Sequence, residues 1–339
     1  MKAIGYLDNR SDAGSGSLVD LDLPQPVATG RDLLVEVKAV SVNPVDTKVR
    51  RNREAQPGAP EVLGWDAAGI VTAVGPDVSS FRPGDKVWYA GDIGRPGTNS
   101  AFHLVDERIV GPMPASLDFA AAAALPLTAL TAYEMLFERL RVESPVAGGA
   151  NAVLIIGGGG GVGSVAIQLL RAMTDLTVIA TASRPETKSW VQDLGAHHVV
   201  DHTLPLPPQI NALGIGAPSF VFSTTHSETY IDEVVALIAP QGQYGLIDDP
   251  ADFNIMPFKT KNISIHWEFM FTRSMHQTAD MARQGEILRE VARLVDAGKL
   301  RATATTNMGQ ITAENLRRAH DHIETGKSVG KVVLEGFAS

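Results

Sequence analysis

From Asn151 onward, short apolar runs alternate with segments whose apolar positions recur every third or fourth residue. The runs predict buried strands, and the three-to-four spacing predicts amphipathic helices. The predicted strands are Ala152 to Ile156, Thr177 to Ala182, His198 to Val200, Phe220 to Ser223 and Gly242 to Leu246, with helices after the first, second and fourth. That alternation implies a parallel sheet with helices on both faces, a doubly wound Rossmann sheet. The N-terminal segment is patterned differently. LLVEVKAV (Leu33 to Val40), GIVTAV (Gly69 to Val74) and KVWYA (from Lys86) are strand patterns broken by turn residues such as Pro83, Gly84 and Asp85, so this part is mainly β. From Leu125 the pattern turns helical, and past the alternating segment Glu286 to Ala297 and Glu314 to Thr325 read as helices and Gly330 to Leu334 as a strand. Such a mixed tail does not extend the sheet. It is expected to fold back onto the N-terminal β segment, giving one discontinuous domain (1–125 and 266–339) around a second (126–265).

The 339 residues, 44% of them hydrophobic, are enough for two buried cores. A formal net charge of −9 and the lack of any Lys/Arg cluster argue against nucleic acid as a partner. The opening MKAIGYLDNR carries charges and no apolar core of signal-peptide length, and no later stretch reaches about 18 uninterrupted apolar residues. A cytoplasmic protein with no membrane partner is therefore expected. With no cysteine in the chain, disulfides, thiolate nucleophiles and cysteine-ligated metal sites are excluded by composition.

The most specific motif is NAVLIIGGGGGVG, Asn151 to Gly163, a buried-strand pattern running into Gly158-x-Gly160-x-x-Gly163 and then the helix pattern SVAIQLLRAM. Gly158 permits a tight turn, Gly160 lets the backbone approach a pyrophosphate, and Gly163 allows close helix–strand packing. The N–H groups of the first helical turn, at Gly161, Val162 and Gly163, are offered to the anion. A dinucleotide is the expected cofactor. An NAD site places a carboxylate near the end of the second strand, but here the stretch reads Thr181-Ala182-Ser183-Arg184. A hydroxyl beside a guanidinium suits a 2′-phosphate, and Lys188 lies on the same face of the following helix, so NADPH is expected. A plain solvated helix start would use the same two cations.

Several further stretches carry a resemblance: SVNPVDTKVR (Ser41 to Arg50), LGWDAAGIVTAVGPDVSSFRPGDKV (Leu63 to Val87), LPLTALTAYEML (Leu125 to Leu136), LGAHHVVDH (Leu194 to His202) and VGKVVL (Val329 to Leu334). With the glycine loop, they make the chain resemble the quinone oxidoreductase branch of the medium-chain dehydrogenase/reductase superfamily. The resemblance implies a GroES-like catalytic domain, a Rossmann domain inserted in it and a substrate cleft between them. It also implies a cysteine and a histidine as zinc ligands where this chain has Asn43 and Trp65, so no metal is expected. The nine histidines do not make up the loss, because His197 and His198 are adjacent and His320 and His322 are two apart on a helix.

Without a Lewis acid, oxidation of a plain alcohol lacks help at the hydroxyl proton, whereas quinones and enones accept hydride directly at carbon. The expected reaction is hydride transfer from NADPH to a quinone or α,β-unsaturated carbonyl. By the resemblance, Asn43, Asp46 and Thr131 lie at the reacting end, with the Asn43 amide placed to donate to a carbonyl. Asn-Pro-Val-Asp is equally a turn sequence. Trp65 is expected to wall the pocket. Trp267, Phe269 and Phe271, in ISIHWEFMFTR (Ile263 to Arg273), are shared between pocket and subunit contact in a way the sequence does not divide. Gly245, Leu246 and Ile247 match the backbone that holds the carboxamide, His202 stands where relatives often carry a tyrosine near the phosphate, and the resemblance implies a homodimer. Two other readings stay open: an alcohol or aldehyde dehydrogenase with an unrecognised metal site, and a non-catalytic NADPH-binding protein.

Overall fold

The two patterns of the sequence separate in space. In the computed structural model, which describes residues 1–7, 14–56 and 58–337, the chain forms two compact units. One is Met1–Leu130 with Phe271–Ser339, the other Thr131–Met270. The sequence placed these boundaries at 125/126 and 265/266.

The first unit contains β1 (Lys2–Tyr6), β2 (Val19–Asp22), β3 (Asp32–Val42), α1 (Pro44–Asn52), β4 (Glu61–Val62), β5 (Ala67–Val74), β6 (Lys86–Tyr89), β7 (Phe102–Asp106), β8 (Val110–Pro112), α2 (Phe119–Ala123) and the start of α3 (Pro126–Tyr133). The second holds the end of α3, then β9 (Ala150–Ile156), α4 (Gly161–Met173), β10 (Thr177–Thr181), α5 (Pro185–Asp193), β11 (His198–Val200), α6 (Leu206–Ala212), β12 (Pro218–Ser223), α7 (Ile231–Leu237), β13 (Gln243–Leu246) and β14 (Ser264–Trp267). The tail adds α8 (Thr272–Met275), α9 (Arg283–Asp296), β15 (Ala304–Asn307), α10 (Ala313–Glu324) and β16 (Lys331–Glu335) to the first unit. β16 pairs antiparallel with β3, Val332 opposite Val42, which joins the tail to the N-terminal sheet.

In the second unit all six strands run parallel, in the order β11-β10-β9-β12-β13-β14. This is the doubly wound Rossmann order, reversing between β9 and β12. β9 shows no apolar/polar alternation because both its faces are covered. Leu154 and Ile156 pack with Leu206, Ile210, Val234 and Leu237 of α6 and α7. Val153 and Ile155, equally buried, alternate to the side where α4 runs. Burying each such side chain contributes about 1.5–3 kcal/mol before the entropy of ordering is subtracted.

The structure adds a helix the pattern did not predict, α6 after the third strand, whose Pro207 and Pro208 sit in the first turn where no intrahelical N–H is required. The helical run begun at Leu125 continues past α3 as a π-helical turn, Glu134–Arg139. By length and composition Phe119–Arg139 passes as a membrane span, but 89% of its apolar window is buried inside the protein, which makes it a core element.

Candidate functional site

β9 ends at Ile156, and the chain turns through Gly157 and Gly158 into α4. Gly157 has φ +85°, a conformation that favours glycine, and its N–H donates to Thr181 Oγ1 at 3.0 Å. Gly158 N–H donates to the Thr181 carbonyl at 3.2 Å, which ties the loop to the end of β10. A Cβ on Gly163 would stand 2.4 Å from the Gly157 carbonyl oxygen and 2.7 Å from Gly158 Cα, both rigid backbone. Gly160 is different. A Cβ there would find only the Gly157 oxygen, at 3.6 Å, so the protein itself leaves this position open. Gly160 also caps α4 without a side chain, leaving the N–H groups of Gly161, Val162 and Gly163 facing outward from the first turn. An open Cβ position over a thirteen-residue helix start fits a phosphate group.

Cationic and titratable side chains gather near the neighbouring strand ends. Arg184, following the half-buried Ser183, is the N-cap of α5 and pairs with Glu186 at 3.2 Å. Lys188 pairs with Asp201, just past β11, at 2.9 Å. Both partly exposed ion pairs contribute little to stability, about 0–1 kcal/mol each. His202 is half-buried, and burial lowers its pKa, with the charges of Lys188, Arg184 and His226 adding to the effect and Asp201 opposing it. The imidazole therefore charges only below the ordinary histidine value of about 6.5. Any contribution of charged His202 to phosphate binding moves to lower pH accordingly.

In the first unit a separate polar cluster is buried. Asn43 caps α1, Pro44 takes its first position, and Asp46 reaches back to accept the Asn43 N–H at 2.7 Å. The turn chemistry of Asn-Pro-Val-Asp is thus realised as a helix cap. The two protons of the Asn43 amide go to Asp66 Oδ2 at 2.8 Å and the Trp65 carbonyl at 3.5 Å, and its oxygen accepts from Lys331. Lys331 also reaches Asp66 at 3.2 Å and the Val42 carbonyl at 3.1 Å. The other Asp66 oxygen accepts the Leu127 N–H at the start of α3, at 2.8 Å. Burial pushes the Asp66 carboxyl up and the Lys331 ammonium down, and each offsets the other. The Asn43 amide is consequently spent inside the protein: it positions its neighbours instead of presenting a free donor to a carbonyl.

Asp46 Oδ1 is buried with no hydrogen-bond partner, and burial pushes the Asp46 carboxyl up to about 7. Unfolded aspartate ionises near 3.9, so between about pH 4 and 7 the folded chain holds a proton that the unfolded chain has lost. Stability associated with Asp46 must fall across that window as pH rises, and level off above it. Asp46→Asn, which keeps an acceptor for Asn43, is expected to remove this fall. Urea denaturation of both proteins from pH 4 to 8 checks it, and parallel curves would refute the raised carboxyl.

The four predicted aromatics do not share one environment. Trp65 is fully enclosed, donates to the Asp92 carbonyl at 3.2 Å and meets Phe271 edge-on at 6.1 Å. Trp267 and Phe269 are 53% and 47% exposed, on and just beyond the edge strand β14. Thr131 is buried in α3. Gly245 and Leu246 are buried in β13, where a Cβ on Gly245 would stand 2.3 Å from Met135 Sδ, and Ile247 is half-exposed just past the strand. Sequence reasoning missed Asp66, Lys331 and Asp201 as site residues. The GWD and GK stretches were the available signal for the first two, and nothing local marked the third. Among the described residues no group of three or more His, Cys, Asp or Glu is placed to hold a metal.

Residues 29–115 match the alcohol dehydrogenase GroES-like domain, and residues 194–334 match the zinc-binding dehydrogenase family. A zinc-type alcohol dehydrogenase-like protein of Staphylococcus aureus is 40% identical over 91% of this chain and 92% of its own. A crystal structure from Rhizobium etli, described as a zinc-dependent alcohol dehydrogenase protein, superposes with a TM-score of 0.98 at 59% identity, covering 100% of this chain and 99% of that one. The quinone oxidoreductase of Coxiella burnetii superposes with a TM-score of 0.79 at 26% identity, covering 99% of both chains. The Rossmann order, the glycine turn and these full-length matches agree on one family. The chain belongs to the medium-chain dehydrogenase/reductase superfamily of oxidoreductases, alongside the zinc-type alcohol dehydrogenase-like proteins, and among the described residues it assembles no set of zinc ligands.

Proposed function

We propose that the protein is a zinc-independent reductase that binds NADPH and passes hydride to a quinone or an α,β-unsaturated carbonyl. The observation that carries the cofactor half is the Gly157–Gly163 turn, in which Gly163 is closed by backbone while Gly160 stays open. When bound, the nicotinamide supplies the hydride. Gly160 and the N–H groups of Gly161, Val162 and Gly163 hold the pyrophosphate; Arg184, Lys188, Ser183 and His202 surround the 2′-position; Gly245, Leu246 and Ile247 offer backbone to the carboxamide.

For the acceptor, the reading rests on what stands in the zinc-ligand positions. Trp65 and Asn43 are buried and fully engaged, which leaves chemistry that needs orientation and oxyanion stabilisation more than a Lewis acid. Thr131 and Asp46 are the groups proposed to face the developing oxyanion and the proton, with Asn43 fixing Asp46 through its N–H. Trp65 and Phe271, enclosed and meeting edge-on, are proposed to back the substrate side from behind its lining, and Trp267 and Phe269 are divided between pocket and subunit contact. A turnover screen across quinones, enones and aldehydes with NADPH and NADH tests the reading. Activity confined to aldehydes or alcohols would refute it, and nucleotide binding with no turnover of any acceptor would make the protein a non-catalytic binder.

The cofactor preference makes a separate prediction. Arg184→Ala with Lys188→Ala is expected to weaken NADPH by about tenfold, at about 1.4 kcal/mol per decade, and to leave NADH nearly unchanged. KM for both nucleotides with one fixed quinone reads this, and equal rises would reduce the two residues to a solvated helix start. The homodimer implied by the resemblance is proposed to form along β14, the sheet edge with Trp267 exposed. A monomeric mass by sedimentation at micromolar protein would rule it out.

A further inference from the structure

We propose that Asp201 sets the nucleotide preference by holding Lys188 back from the 2′-position, so that the site takes NADH as well as NADPH. The inference rests on the reading of these strand ends as the nucleotide site. Lys188 Nζ donates to Asp201 Oδ2 at 2.9 Å. The other carboxylate oxygen, Oδ1, accepts from Thr203 N–H at 3.0 Å and from Thr203 Oγ1 at 2.6 Å. The Asp201 backbone is clamped as well. Its N–H donates to Gln209 Oε1 at 2.8 Å, and its carbonyl accepts from Gln209 Nε2 at 2.9 Å. These bonds fix the carboxylate in place and, with Lys188, keep it ionised.

Two cations at the site thus face two carboxylates, Lys188 against Asp201 and Arg184 against Glu186. The two carboxylates differ in how firmly they are held. The Glu186 side chain is 58% exposed and pairs with Arg184, whereas the Asp201 side chain is 20% exposed and bonded on both oxygens. An incoming 2′-phosphate can displace an exposed glutamate from Arg184. It must compete with a fixed aspartate for the Lys188 ammonium, and it meets the aspartate's own negative charge while doing so. A ribose 2′-hydroxyl carries no charge and meets no such competition. The arrangement therefore penalises the phosphorylated nucleotide selectively, through a residue thirteen positions beyond the lysine it controls.

Asp201→Asn keeps the side chain's size and an acceptor for Thr203 while removing the charge. Dissociation constants for NADPH and NADH are measured by calorimetry on the wild type, Asp201→Asn, Lys188→Met and the double variant, with thermal midpoints recorded for each. Asp201→Asn is expected to tighten NADPH by about threefold or more and to change NADH by less than about twofold. The gain should vanish when Lys188 is also replaced, which isolates the coupling from a general field effect. Weaker NADPH binding in Asp201→Asn, equal changes for both nucleotides, or an equal gain without Lys188 would each overturn the inference. If Asp201→Asn fails to fold, Lys188→Met decides: a loss of NADPH affinity below about threefold supports a lysine already held back, and any larger loss contradicts it. A wild type that binds NADPH while Asp201→Asn matches it overturns this inference alone, whereas a wild type that binds neither nucleotide overturns the cofactor reading with it.

Discussion

Lys331→Met is expected to cost the fold about 3–5 kcal/mol at neutral pH, because it leaves Asp66 buried without its cation. The lysine is 3% exposed and Asp66 fully enclosed, so water does not replace the lost partner. The Asn43 amide loses the donor to its oxygen at the same time. The companion change Asp66→Asn in the Lys331→Met background should recover much of the loss, since two neutral groups need no counter-charge. Urea denaturation of the three proteins measures this. A single variant as stable as the wild type would show that the pair is not a buried ion pair at all.

The two glycines of the nucleotide turn should respond in opposite ways. Gly163→Ala places a methyl against the Gly157 carbonyl and Gly158 Cα, neither of which can swing aside, and is expected to destabilise the protein by about 1–3 kcal/mol or more. Gly160→Ala meets only an ordinary contact and has φ −77°, a conformation alanine adopts freely, so the thermal midpoint should barely move. Its methyl would stand where the pyrophosphate is proposed to lie. Loss of charge-assisted hydrogen bonds worth about 1.5–3 kcal/mol then weakens nucleotide binding by about tenfold or more. Calorimetric titration beside a thermal melt separates the two effects. A Gly160→Ala protein that binds NADPH normally would remove the phosphate from this turn.

The contrast between these two sites also explains what the sequence could reveal. The nucleotide turn is local: strand, glycines and helix follow one another within Ala150–Met173, and each residue's job depends on near neighbours. The parallel strands were legible for the same reason, since burial on both faces gives continuous apolar runs. The Asn43–Asp66–Lys331 cluster is assembled from residues up to 288 positions apart and depends on β16 closing against β3. No periodicity announces such a cluster, and Asn43 could be placed near the reacting end only by resemblance, with its amide wrongly left free to donate. Lys188 was visible as a cation, but its partner Asp201 lies on another strand's end, so the charge looked available when it is paired. α6 was not predicted, and its Pro207 and Pro208 stand in the first helical turn, which tolerates both. The aromatic segment gave composition without direction, and burial alone divides it, with Phe271 enclosed and Trp267 exposed.

Zinc-independent hydride transfer is decided by NADPH oxidation with a simple 1,4-benzoquinone, followed before and after dialysis against a strong chelator, with metal content determined on the same samples. NADPH should be consumed, the rate should survive chelation unchanged, and zinc should be far below one equivalent per chain. Stoichiometric zinc whose removal abolishes turnover, or NADPH left untouched by every quinone and enone offered, would contradict it.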